Sequence, residues 1–206
     1  MIGAYPIDDR ITLVATSVAN RRAQRREQIL AAAWDIAVEA GLAAVSLHEV
    51  ARRVGIRQPS LYGYVTSKLD LYDAMYAQAY EQLLAELDKT PPSGTARQQL
   101  IRLSRTVLDF AVENLPRQQL LFQRTIPGFE PSPASYALAK RLIDRNLGLL
   151  AALGAGSRAH IDVFTALVGG LGAQQIANDP GGDRFTRHLE ALVDMFLDHF
   201  VPQEPR

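Results

Sequence analysis

Gln58, Pro59, Ser60 and Tyr62 stand within a few positions of one another, bracketed by Arg52, Arg53, Arg57 and Lys68. A glutamine amide can pair bidentately with an adenine edge, discriminating by roughly 1–3 kcal/mol, and a proline ring offers an apolar face to a thymine methyl. A lysine opening a helix adds its charge to the positive end of the helix dipole, a combination that attracts phosphate. These residue types in this order suit a reader of duplex DNA. Catalysis has less to work with. His48, His160, His188 and His199 are the only histidines, and none forms a His-x-x-x-His pair. Glu130 and Asp162 stand without a paired carboxylate or a nucleophile. With no cysteine there is no thiolate metal site, cysteine nucleophile or disulfide. No catalytic residue, metal or cofactor is expected, and the chain is not read as an enzyme.

Two short helices joined by a tight turn would position this chemistry. Ser46 can cap the first, with Glu49 three residues on in capping-box spacing. Leu47, Val50, Ala51 and Val54 then share one face. Gly55 suits the left-handed residue that ends a helix. Pro59 suits the first turn of the next, where a missing N–H costs nothing. Leu61 is the inward anchor of that second helix, while Ser60, Tyr62, Gly63 and Tyr64 point elsewhere. The pattern predicts a helix-turn-helix unit.

The 206 residues carry zero formal net charge. Within 21–68, however, 8 basic residues oppose 4 acidic ones, so this segment is +4 and the remainder −4. A basic head on an acidic body is consistent with a DNA-binding head on a regulatory body. Composition is that of a globular protein, 48% hydrophobic and 21% charged. The first residues lack the order of a signal peptide. No apolar run approaches the ~18 residues of a membrane span. A cytoplasmic protein without a membrane partner is expected.

Residues 1–20 read as a flexible leader. A first helix is predicted from near 20 or 21 to 40, with Ile29, Ala33, Ile36, Ala37 and Ala40 at helical spacing and Arg21, Arg22, Arg25 and Arg26 in its opening turns. Further helices are predicted over 68–88, 96–114, 116–122, 134–153 and 157–178, and a last one through Phe185, Leu189, Leu192, Val193, Phe196, Leu197 and Phe200. Gly169, Gly170 and Gly172 cost about 1 kcal/mol each in a helix, which implies a close approach there. The last helix pair reads either as the central hairpin of a larger monomer or as half of an isologous four-helix interface. No segment alternates as a strand would. The fold class is all-α, about nine helices.

Residues 22–68 resemble the DNA-binding domain of the TetR family of bacterial repressors. The likeness is carried by Glu39-Ala-Gly41, Ser46, Val50-Ala51, Val54-Gly55-Ile56, Leu61-Tyr62, Tyr64-Val65 and Lys68. The resemblance implies domains at 21–67 (a three-helix DNA-binding head) and 68–206 (a larger helical ligand-binding and dimerisation body). It places Gln58, Pro59, Ser60 and Tyr62 at base edges, and Tyr64 and Lys68 at phosphates. Ser46, His48, Arg57 and Gly63 complete the expected DNA surface. Gly63 departs from the family, which usually has a large residue there; Arg57 replaces the usual small cap, and Val65 a commoner phenylalanine.

The family likeness further implies a homodimer on a palindromic double-stranded operator, released by a largely apolar small molecule. Tyr76, Tyr80, Phe110, Phe122, Phe129, Tyr136, Phe164 and Gln174 are the candidate pocket residues. Phe164, Leu171, Leu189, Leu192 and Phe196 are the candidate dimer interface. The rival reading is an all-helical dimeric interaction protein with degenerate DNA binding, for which Gly63 is the hint.

Overall fold

The computed structural model describes residues 9–201, with side chains from 19 onward. Those residues form nine helices: α1 (Asp9–Ala40), α2 (Leu47–Val54), α3 (Gln58–Leu61), α4 (Lys68–Asp88), α5 (Ala96–Val112), α6 (Leu115–Phe122), α7 (Pro133–Ala152), α8 (Arg158–Asn178) and α9 (Leu189–Phe200). Short 3-10 turns stand at Leu42–Ala44 and Thr186–His188. No strand occurs among the described residues. The chain divides into two compact units, one ending at Leu71 and the other beginning at Tyr72. Helix α4 starts in the first and continues in the second.

In the first unit, Ile29, Leu30, Ala33, Ile36 and Ala37 of α1 are buried with Val50 and Ala51 of α2, Leu61 of α3 and Val65. Helix α1 begins at Asp9, well before the expected start near 20, so the expected leader keeps only residues 1–8, which lie outside the described residues. Ser46 caps α2 by accepting from the Glu49 N–H at 3.2 Å. The reciprocal half of the expected box does not form, because arginines claim the Glu49 carboxylate. Gly55 ends α2 at φ 71°, ψ 33°. The Gly55 N–H donates to the Arg52 carbonyl at 3.3 Å, and the Ile56 N–H to that of Ala51 at 3.0 Å. This paired closure satisfies the last carbonyls of α2 and turns the chain into α3.

The second unit has its core where α5, α7, α8 and α9 meet. Leu100, Leu108, Leu150, Ile161, Phe164, Val168, Leu189, Leu192, Val193 and Phe196 form one buried cluster. The Phe164 and Phe196 rings meet at 5.2 Å and 70°, a favourable edge-on arrangement. This corrects the expected dimer interface. Phe164, Leu189, Leu192 and Phe196 are at most 9% exposed within a single chain, and Leu171 packs partly against them. A 3.6 period signals that a face is covered; here α5 and α8 of the same chain cover the α9 stripe.

Gly172 explains itself in the same core, since a Cβ there would lie 3.1 Å from Leu108 Cδ1. A Cβ on Gly169 or Gly170 would meet nothing within 4 Å. Arg97 of α5 holds Asp194 of α9 through bonds of 2.6 and 2.8 Å. Helix α9 begins at Leu189 rather than near Phe185, because Gln175, 1% exposed, accepts from the Phe185 and Thr186 N–H groups and ties down the preceding chain.

Candidate nucleic-acid interface and effector cavity

Leu61, fully buried, anchors the four-residue α3 and turns its other side chains outward. Pro59 lies in the first turn, and Arg57 at the N-cap position makes no side-chain capping bond, as its type foretold. Tyr62 is 49% exposed, large for an aromatic side chain with no packing role there. His48, Arg57, Pro59, Ser60, Gly63 and Lys68 are exposed too, and Gln58 and Tyr64 half-buried. Gln58 Nε2 stands 3.5 Å from the Tyr62 hydroxyl, close enough for each to orient the other. Ser46 is the exception in the expected set, because its oxygen caps α2. One short helix and its exit turn thus present an amide, an apolar ring, a hydroxyl and a phenol side by side.

Two supports hold this surface, and neither was expected. Arg22, 41 residues earlier, donates from Nη2 to the Gly63 carbonyl at 3.1 Å. Its Cζ also lies 5.9 Å from the Tyr64 ring centroid, within cation–π range. A carbonyl at a helix exit needs a donor, and Arg22 supplies a charged one. We expect Arg22→Ala to lower affinity for the preferred duplex more than for random duplex. The salt dependence should stay unchanged, as measured by anisotropy titration, because the guanidinium acts through Gly63. A salt slope reduced by about one unit would make Arg22 a phosphate contact instead.

The second support is ionic. Arg52 grips Glu49 at 2.6 and 2.8 Å. Arg53 reaches Glu49 at 3.2 Å and Glu39 of α1 at 2.5 and 2.9 Å. Arg53 therefore ties α2 to the end of α1, and both arginines are occupied by carboxylates. The Arg52 hydrogen bond, then that of Arg53, lowers the Glu49 pKa from 4.5 to about 2. A depressed carboxylate contributes stability that is present above 4.5 and lost as pH falls toward 2. Melting temperature should drop across that window, and Glu49→Gln should remove part of the drop. An identical acid profile in the variant would contradict the assignment. Lys68 donates from Nζ to the Ala43 carbonyl at 2.9 Å, which orients its charge at the start of α4.

The second unit gathers five of the eight expected pocket residues. Tyr76 meets Tyr80 at 4.8 Å and Phe129 at 6.2 Å, and Tyr80 meets Phe122 at 6.4 Å. Tyr136 joins Tyr76, Phe122 and Phe129 around a cavity of about 190 Å³. Burial pushes the Tyr76 and Tyr80 phenols above their ordinary pKa, so both remain neutral donors. The Asp73 carboxylate accepts from the Ser132 N–H and hydroxyl and the Ser135 hydroxyl, at 2.7 to 2.9 Å, and pins the start of α7 to α4.

Three residues fall elsewhere. Phe164 belongs to the core, and Phe110 lies under the Arg117 guanidinium at 4.0 Å. Gln174 faces outward to Asn178 at 2.8 Å, its neighbour Gln175 being the inward one. A larger cleft of about 800 Å³, at the end of α4 and against α5 and α7, was not foreseen. Its walls mix charged with apolar residues drawn from four segments, so no single run of sequence marks it.

Residues 29–75 match the sequence model of the family described as bacterial regulatory proteins, tetR family. A transcriptional regulator of Mycobacterium tuberculosis, described as of helix-turn-helix type and named Rv1816, is 28% identical over 145 residues, covering 66% of this chain and 62% of that protein. The Mycolicibacterium smegmatis transcriptional activator FasR is 30% identical over 103 residues, covering 50% of this chain and 47% of that protein. Both matches thus span less than two thirds of the relative. Among solved structures, a TetR family transcription regulator from Marinobacter aquaeolei superposes with a TM-score of 0.64 at 20% identity, covering 90% of this chain and all of that one. The helix-turn-helix segment at 29–75 is thus similar to that of the TetR family of bacterial regulatory proteins, and the chain has the fold of solved regulators of that family.

Proposed function

We propose that the chain is a ligand-responsive transcriptional regulator, a repressor, that binds a palindromic operator as a homodimer and is released by a largely apolar small molecule. The observation that carries the reading is the surface at 58–64: exposed, chemically suited to base edges, and held in place by Arg22 and the closure at Gly55. Gln58, Pro59, Ser60 and Tyr62 read bases, and Tyr64, Arg57 and Lys68 approach phosphates. His48 stands at the groove edge. Such a regulator acts where the bacterial chromosome is, in the cytoplasm. The Mycolicibacterium relative's name is that of an activator, and reporter expression with and without this chain decides the sign.

The interface consistent with a homodimer is the outward face of α8 and α9. Val163, Ala166, Gly170 and Ala173 recur there at helical spacing, and Met195 of α9 is 60% exposed. Small residues on that ridge let a second α8 approach closely, in an isologous contact. Val163→Asp combined with Met195→Asp should give a monomer in sedimentation with the melting temperature kept. A dimer that persists would place the interface elsewhere. Two heads would then read half-sites about 34–36 Å apart, or a multiple of that spacing. Because α4 runs from the first unit into the second, a ligand that prefers a displaced α4 shifts the population away from the DNA-binding spacing. Selection from a random duplex library should enrich an inverted repeat. Enrichment of single, unrepeated sites would contradict the dimeric reader.

A further inference from the structure

The 800 Å³ cleft has the size of a ligand site and holds two arginines that form no ion pair among the described residues. Arg102 and Arg105 stand one turn apart on α5, half-buried, and both line it. Each commits a donor to a backbone carbonyl: Arg102 to that of Ser93, and Arg105 to that of Thr186 at 2.8 Å. A guanidinium has five N–H donors, so most remain for another acceptor. Asp109, one turn along α5, feels the Arg105 charge without forming an ion pair with it.

The carboxylates on the walls are mostly spoken for. Asp88 is held by Arg145 at 2.6 Å, Asp144 by Lys140 at 2.9 Å and Glu86 by Lys89 at 2.5 Å. Glu190 and the neighbouring Asp109 match Arg102 and Arg105 in number, yet neither arginine forms an ion pair among the described residues, so both guanidinium groups keep donors for a bound anion. Beside them, Leu87, Ile101, Leu103 and Leu149 supply an apolar wall. Gly148 of α7 opens that wall further, for a Cβ there would meet nothing within 4 Å. Glycine inside a helix is less stable than alanine, and no neighbour in the chain requires it at 148. Its absent side chain leaves room beside the leucines.

We infer that this cleft binds an amphipathic anion, with its carboxylate or phosphate head on Arg102 and Arg105 and its apolar tail along Leu87, Leu103 and Leu149 past Gly148. This names the effector class and rests on the proposed ligand-responsive function. Charge-assisted hydrogen bonds from the arginines favour the anion over a neutral analogue.

The test is calorimetric titration of the full chain with dodecanoate, dodecyl phosphate and dodecanol, each below its micelle concentration. One anion should bind per chain, about tenfold or more tighter than the alcohol. The stronger of the two anions identifies the head group. R102Q with R105Q should erase that preference. Gly148→Leu should abolish binding while circular dichroism and melting stay native. Equal binding of alcohol and anion, no binding at all, or an anion affinity unchanged in R102Q/R105Q would overturn the inference. Duplex binding is followed on the same samples: DNA binding without anion binding defeats this inference alone, and anion binding without DNA binding defeats the regulator reading alone.

Discussion

Gln58→Ala is expected to weaken binding to the enriched duplex by about ten- to a hundredfold, since a bidentate base contact discriminates by about 1–3 kcal/mol and each 1.4 kcal/mol is tenfold. The loss should concentrate on one base pair, with competing duplexes mutated at that pair binding the variant as well as the parent sequence does. Stability should hardly change. Gln58 is half-exposed at the start of α3, and its one side-chain neighbour, the Tyr62 hydroxyl, is at 3.5 Å. The helix is anchored by Leu61 instead, 0% exposed. Tyr62→Ala should act likewise, through the phenol that Gln58 helps orient. Unchanged affinity in both variants, measured by anisotropy on the enriched duplex, would remove α3 as the reading element.

Phe196→Ala should cost about 3–5 kcal/mol, the penalty for emptying a large aromatic site in a core that cannot collapse around it. Phe196 is 1% exposed and packs on Phe164 at 5.2 Å and Phe200 at 4.8 Å. Its neighbour Met195, 60% exposed, provides the contrast. Met195→Ala should stay within about 0.5 kcal/mol in the isolated chain, as surface changes do. Denaturant midpoints at several protein concentrations separate the two roles. The Phe196 loss should be independent of concentration. A concentration-dependent loss at Phe196 would return that residue to a subunit interface.

The contrast between Phe196 and Met195 marks where sequence reasoning succeeds and stops. Ser46, Gly55, Pro59 and Leu61 were legible because caps, a left-handed turn and one inward anchor are decided within a few residues. The closure at Gly55 follows from its neighbours alone. The stripe through Leu189, Leu192 and Phe196 was legible as a buried face, yet its partner was not. Helical period reports that a face is covered and is silent on whether the cover belongs to the same chain. Here α5 and α8 provide it, and the face proposed for a second copy is the small-residue ridge at Val163, Ala166 and Gly170.

Long-range side-chain partners were equally hidden. Arg22 and Gly63 are 41 positions apart, and Arg53 and Glu39 are 14 apart. Only the folded backbone brings these groups together. Arg52 and Arg53 carry the charge expected near DNA, but Glu49 and Glu39 take it up. Gly63, which departs from the usual family residue, contributes its carbonyl to Arg22 instead of a side chain. Among pocket residues, the tyrosines of α4 fell together because one helix face carries them. Phe110, Phe164 and Gln174 did not, because an offset of one position on α5 or α8 turns a side chain to another neighbour.

The central claim is that the surface around α3 engages duplex DNA through phosphates as well as bases. Its most direct measurement is fluorescence anisotropy of a labelled random duplex titrated with the full chain across a series of salt concentrations. Log affinity should fall linearly with log salt, by about 0.9 for each phosphate neutralised, as counterions are released. Arg57→Ala should reduce that slope by about one unit. Absent binding at low salt, or an affinity that does not respond to salt, would contradict the account.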